Sequence, residues 1–92
     1  MLFALRNMKI EKIEELVGTV SGYLTKNGIE KSITAEVLTS DKTTLDEITD
    51  AVISLICKIG VDENFAPNIH GVILDGCLEA LNQIREEYFG NE

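Results

Sequence analysis

Ile69-His70-Gly71-Val72-Ile73-Leu74-Asp75-Gly76-Cys77-Leu78-Glu79-Ala80-Leu81-Asn82-Gln83-Ile84-Arg85-Glu86-Glu87-Tyr88 is the stretch on which the fold reading turns. Drawn around a helix at about 100° per residue, Ile69, Ile73, Cys77, Ala80, Leu81, Ile84 and Tyr88 share one face. Val72, Leu74 and Leu78 flank it on both sides, and Asp75, Glu79, Asn82 and Glu86 form a narrow polar stripe opposite. A surface helix carries an apolar arc of about 100°. This arc is nearly twice as wide through Leu78, then narrows as Arg85, Glu86 and Glu87 enter. Such a helix needs neighbours on two or three sides, which places it at the centre of a helical bundle. Gly76 falls on the expected buried face, where a missing side chain lets another backbone come close.

Working back along the chain, Asp62-Glu63-Asn64-Phe65-Ala66-Pro67 connects this helix to the one before it. Pro67 suits a first helical turn, where its missing N–H costs nothing, and Phe65 is expected to plug the end of the core. The preceding helix has its start signal at Thr44-Leu45-Asp46-Glu47, a capping box in which Thr44 and Glu47 satisfy each other's amides. Leu45, Ile48, Val52, Leu55, Ile56 and Ile59 are its core stripe. Gly60 ends it, with a cap expected to match the one at Gly28 below. Ile53 and Cys57 lie off the stripe, four apart, and form a second apolar seam that a short monomer struggles to bury. With Val72 and Leu78 they are the expected subunit interface.

A first helix is predicted from Lys9 to Asn27, with Ile10, Ile13, Leu16, Val17, Val20 and Leu24 at helical spacing. Gly28 can take the left-handed position that closes it, letting Ile29 meet Leu24. Gly18 and Gly22 sit on its opposite face beside Glu11, Glu14 and Glu15. They mark either a close backbone approach or tolerated weak spots costing about 1 kcal/mol each. Residues 32–39 read as a short helix capped by Ser32, or as a strand with Ile33, Ala35 and Val37 alternating. Helix is preferred, because the chain offers no second strand. Residues 39–43 read as a polar loop, and Gly90-Asn91-Glu92 as a frayed end.

A chain of 92 residues, 45% hydrophobic and 26% charged, has the composition of one globular domain spanning 1–92. Residues 1–7 precede a natural start at Met8 and are expected to be upstream or appended residues. One core in so short a chain leaves a thin margin of stability, and oligomerisation is the expected remedy, most simply a homodimer. Two cysteines inside apolar helical runs argue for buried thiols and against a disulfide. No apolar run reaches the roughly 20 residues a membrane span needs, and the cytoplasm is the expected location. A net charge of −8 opposes direct nucleic-acid binding and favours a basic protein partner.

No residue set supports catalysis. His70 and Cys77 lie on one side of the last helix but about 10 Å apart in rise, beyond the reach of a nucleophile–base pair. His70 reads as a polar-edged core residue. Asp75 and Glu79 sit on the most solvated stripe, and Asp62-Glu63-Asn64 lacks the pattern of a calcium loop. No cofactor or metal is expected, and no motif ties the chain to a family. The expectation is an all-α bundle of three long helices plus a short one, a small acidic protein-interaction module and not an enzyme. An inhibitor, antitoxin-like or immunity-type protein that neutralises a basic partner is its concrete form. Glu11, Glu14, Glu15, Gly18, Gly22, Asp75, Glu79 and Glu86 are its candidate contact residues. The alternatives are a ligand-binding or enzymatic module with a site between subunits near Cys57, Cys77 and His70, and a structural subunit of a larger assembly.

Overall fold

Four helices make up the fold in the computed structural model, which describes residues 10–64 and 66–90. They are α1 (Ile10–Lys26), α2 (Ala35–Ser40), α3 (Lys42–Ile59) and α4 (Ile69–Phe89). No strand occurs among the described residues; Val61 and Pro67 make one isolated antiparallel bridge. The expectations for residues 1–9, the Ile10 side chain, Phe65, Asn91 and Glu92 lie outside the described residues.

The end of α1 is the one the sequence announces. Gly28 adopts φ 77°, and the Ile29 amide donates to the Leu24 carbonyl at 2.8 Å while that of Gly28 donates to Thr25 at 3.1 Å. These paired bonds close the last turn around a left-handed residue. Segment 32–39 is helical, but its cap is Thr34 and not Ser32: Thr34 Oγ1 accepts the Val37 amide at 3.1 Å.

The start of α3 departs from expectation. Asp41, not Thr44, is the N-cap, and Oδ1 accepts the amides of Thr43 at 3.1 Å and Thr44 at 3.3 Å. Thr44 Oγ1 donates to the second carboxylate oxygen at 2.9 Å, and Glu47 pairs with Lys31 at 2.7 Å. Asp41 also closes α2 by donating its amide to Val37. The expected loop at 39–43 therefore shrinks to this one residue. The Thr44 hydroxyl, then the Thr44 and Thr43 amides, hold the Asp41 carboxyl below its ordinary value, partly opposed by desolvation.

The core gathers Ile13, Leu16, Val20 and Leu24 of α1, Ile33, Leu38 of α2, Leu45, Ile48, Val52 and Leu55 of α3, and Leu74, Cys77, Leu81 and Ile84 of α4. The closest packing is between α3 and α4. Gly60 has φ −91°, so it is not the left-handed cap that Gly28 is. Its role is steric. A methyl group there would lie 3.0 Å from Gly71 Cα and 2.6 Å from Ile56 O, and one on Gly71 would run into the Gly60 carbonyl. Asn68 locks the junction: its backbone amide donates to Gly60 O at 3.0 Å and Nδ2 to Ile59 O at 2.9 Å, while Oδ1 accepts the Gly71 amide at 2.9 Å. Asn68 is thus the cap of α4, and Pro67 lies before the helix instead of in its first turn. Near the far end, Arg85 of α4 pairs with Asp46 of α3, so the two helices run antiparallel.

This packing fixes the phase of α4 and corrects its expected face. Gly71, Leu74, Cys77, Leu81, Ile84 and Glu87 are buried, whereas Ile69, Ile73 and Tyr88 are exposed. Gly76, expected at a close contact, is exposed with open space around it. The Asp75, Glu79, Asn82 and Glu86 stripe is solvated, as its spacing requires. Glu87 is buried against expectation, accepting from Gln83 Nε2 at 2.8 Å.

The two glycines of α4 should respond in opposite directions. Gly71→Ala should lose about 1–3 kcal/mol through overpacking, while Gly76→Ala should gain about 0.5–1 kcal/mol from reduced chain entropy. Urea melts of the two variants read this directly, and equal midpoints would mean the α3–α4 contact is not where the structure puts it. For the cap, Asp41→Ala should lower the urea midpoint at pH 7. A carboxylate with a lowered folded pKa contributes fully above its unfolded value of about 4. That contribution fades as pH falls through the folded value, so the gap between wild type and variant should narrow toward pH 2.5. A gap that stays constant would exclude the ionised cap.

Candidate functional site

α1 packs on α4 far less extensively than α3 does. The consequence is a groove along the α1–α4 seam. One end is a cleft of about 640 Å³ lined by Gly18, Thr19, Gly22, Tyr23, Lys26, Asn27, Ile59 and His70. It continues past Thr19 into a second hollow of about 410 Å³, bounded by Lys12, Glu15 and Leu16 of α1 and by Ile73, Gly76, Cys77, Ala80 and Gln83 of α4. Tyr23 near the end of α1 meets His70 in the first turn of α4, so these helices are also antiparallel.

The sequence dictates how open this seam is. Gly18 and Gly22 sit one turn apart on α1, and Gly76 faces the seam from α4; nothing lies within 4 Å of where their Cβ atoms would be. Among the described residues no backbone approaches Gly18 and Gly22, so the close-approach reading has no partner there. On α4, Ile73, Gly76, Ala80 and Gln83 recur at helical spacing along the groove, and Ile69 lies one turn before Ile73 on the same helix face. Ile69 is 67% exposed and Ile73 39%, with Val72 beside them at 60%. Three large apolar side chains within two turns are thus exposed among the described residues.

Among the described residues, the one polar contact across the seam is between Tyr23 Oη and His70 Nδ1, 2.9 Å apart. The rings meet edge to face, with centroids 5.7 Å apart and planes at 83°. His70 is exposed, contrary to the core position expected of it. No further side-chain hydrogen bond orients either ring among the described residues. This pair is invisible in the sequence, since nothing local links positions 47 residues apart.

The remaining candidates are dispersed. Glu11, Glu14 and Glu15 are exposed on α1, as are Asp75, Glu79 and Glu86 on α4. Of the four interface residues, Ile53 and Cys57 are exposed on α3, and Leu78 is half-buried against the core. The register set by Gly60–Gly71 and Asp46–Arg85 puts Ile53 across from Leu78. Val72 is exposed one turn before Gly76 and lines neither hollow. Cys57, Cys77 and His70 do not come together: Cys77 is buried beneath one hollow, His70 borders the other, and Cys57 borders neither. Burial pushes the Cys77 thiol up, which weakens it as a nucleophile at neutral pH.

Among the described residues, no group of three or more His, Cys, Asp or Glu could hold a metal ion, and no helix is long and apolar enough to cross a membrane. Comparison with protein-family models, with curated proteins and with solved structures finds no match in any of the three.

The two thiols should separate cleanly. The sequence leads one to expect both shielded, but exposed Cys57 should react with a chromogenic disulfide reagent in the native protein, and Cys77 only on unfolding. One equivalent released fast at pH 7.5 and a second in denaturant is the expected result. Two fast equivalents would place Cys77 outside the core.

Proposed function

We propose that this chain is a small acidic protein-interaction module, a bundle of three long helices and one short one that binds a basic protein partner. The observation that carries the reading is the uncovered apolar set Ile69, Val72 and Ile73 beside an open groove, in a chain of net charge −8. Large apolar patches with polar borders on small proteins mark interaction surfaces. The surrounding acids would accelerate encounter with a positively charged partner and select against acidic ones. Inhibition or neutralisation of that partner, in the manner of antitoxin-like or immunity-type proteins, is the simplest task for a module with no reactive set assembled among the described residues.

A second surface supports self-association. Ile53 and Cys57 are exposed on α3, the α3–α4 register sets Ile53 level with half-buried Leu78 on α4, and none of the three lines the groove. A homodimer through these residues leaves the groove free for another protein.

Affinity capture from the native host, followed by binding of the purified partner in isolation, tests the reading. The expected partner is basic, and its affinity should weaken progressively between 50 and 500 mM salt as screening shortens the reach of the acids from about 14 Å to about 4 Å. Recovery of only acidic or salt-indifferent proteins would overturn it.

A further inference from the structure

We propose that the cleft toward the C-terminal end of α1 binds a small organic monoanion, a carboxylate carried on a flat apolar body. The site goes beyond the protein-interaction reading and does not depend on it. Residues of α1, α3 and α4 border this one hollow, whereas only α1 and α4 border the hollow beyond Thr19. Its volume of about 640 Å³ falls among small-molecule sites, which hold about 300–1,000 Å³. Room for a ligand comes from Gly18 and Gly22, where no atom stands within 4 Å of an added Cβ. Half-buried Ile59 adds an apolar surface, and the edge-to-face rings of Tyr23 and His70 close the far side. Aromatic rings and an aliphatic side chain together suit a flat apolar body.

The polar groups of the cleft suit an acceptor. A neutral phenol and a neutral imidazole together hold two donor protons. One lies in the bond between Tyr23 Oη and His70 Nδ1. The other is left over, on His70 Nε2 if the phenol donates and on Tyr23 Oη if the imidazole does. A protonated imidazole would add a donor and take none away. The Thr19 hydroxyl borders the same cleft, and Asn27 commits Nδ2 to the Tyr23 carbonyl at 2.7 Å. Charge points the same way. Acids outnumber bases 16 to 8 in the chain, yet Lys26 borders the cleft and, among the described residues, no Asp or Glu does. One lysine balances one negative charge; a second charge on the ligand would meet the repulsion of a chain at −8. That favours a carboxylate over a phosphate dianion.

The test titrates the full chain with four probes and follows its amide resonances. They are phenylacetate, its neutral amide phenylacetamide, the cation phenethylamine and the dianion phenyl phosphate. Phenylacetate should shift Thr19, Gly22 and His70 saturably and bind about tenfold more tightly than the amide or the amine, the factor of one charge-assisted contact. Lys26→Met should lose about that factor, and Lys26→Arg, which keeps the cation, should retain the affinity. Lys12→Met removes the same charge about 21 Å away along α1 and should bind as wild type does. Gly22→Leu enters open space and fills the cleft without changing the charge, so it should abolish the shifts. Thermal melts no lower than wild type verify that the variants fold. Equal binding of phenylacetamide would leave an apolar hollow with no selection by charge and overturn the assignment. Equal losses in Lys12→Met and Lys26→Met would reduce the effect to net charge and overturn it too. So would a preference for phenyl phosphate, undiminished binding by Gly22→Leu, or the absence of saturable shifts with every probe.

Discussion

The contact between Gly60 and Gly71 fixes the geometry of the rest. With no side chain on either residue, the end of α3 and the first turn of α4 meet backbone to backbone, at separations no Cβ could share. Asn68 turns that proximity into a junction by bonding both sides of it with one side chain and one amide. Buried amides and carbonyls left unpaired at a helix junction would cost about 1–3 kcal/mol each, and here they serve one another. Once α3 and α4 are held at this distance and register, Asp46 reaches Arg85, and the face of α4 that enters the core is decided. Leu74, Cys77, Leu81 and Ile84 follow Gly71 inward, while Ile69, Val72 and Ile73 remain outside.

That dependence explains where sequence reading succeeds and where it fails. The cores of α1 and α3 are legible because their apolar residues fill one arc: Ile13, Leu16, Val20 and Leu24, then Leu45, Ile48, Val52 and Leu55, are all buried. The left-handed cap at Gly28 is legible because a glycine after the last apolar turn, followed by an apolar residue, is a local pattern with a local cause. The face of α4 is different. Its apolar residues cover more than half of the circumference, so many phases bury a similar area. A partner-dependent contact then breaks the tie, and periodicity holds no information about it. A glycine at position 71 and one at position 76 look alike in sequence; only the place where α3 arrives distinguishes them.

At the start of α3, two local signals compete. Thr44 with Glu47 satisfies the rule for a capping box, and Asp41 with Thr43 and Thr44 satisfies the rule for a simple N-cap. The helix takes the earlier start. It gains the backbone bond from the Leu45 amide to the Asp41 carbonyl at 3.0 Å, and Asp41 serves α2 and α3 together. Thr44 keeps a role by donating its hydroxyl to the cap, and Glu47 is released to Lys31. A surface pair of that kind contributes about 0–1 kcal/mol, so its formation follows from the earlier start and does not cause it.

Of the candidate contact residues read from the sequence, Glu15, Gly18 and Gly22 border the groove, but the groove itself is not legible there, because it is a property of two helices that pack loosely. Its energetics distinguish two uses of glycine within one chain. At positions 60 and 71 the absent side chains are offset by backbone contact within the fold. At positions 18, 22 and 76 each glycine weakens its helix by about 0.5–1 kcal/mol relative to alanine, and no contact among the described residues compensates. Covering an apolar side chain such as Ile69, Val72 or Ile73 is worth about 1.5–3 kcal/mol at full burial. Intermolecular contact can recover what the isolated chain forgoes. The same seam is the least extensive of the long-helix contacts on α4, so an occupant of the groove would displace little of the existing core.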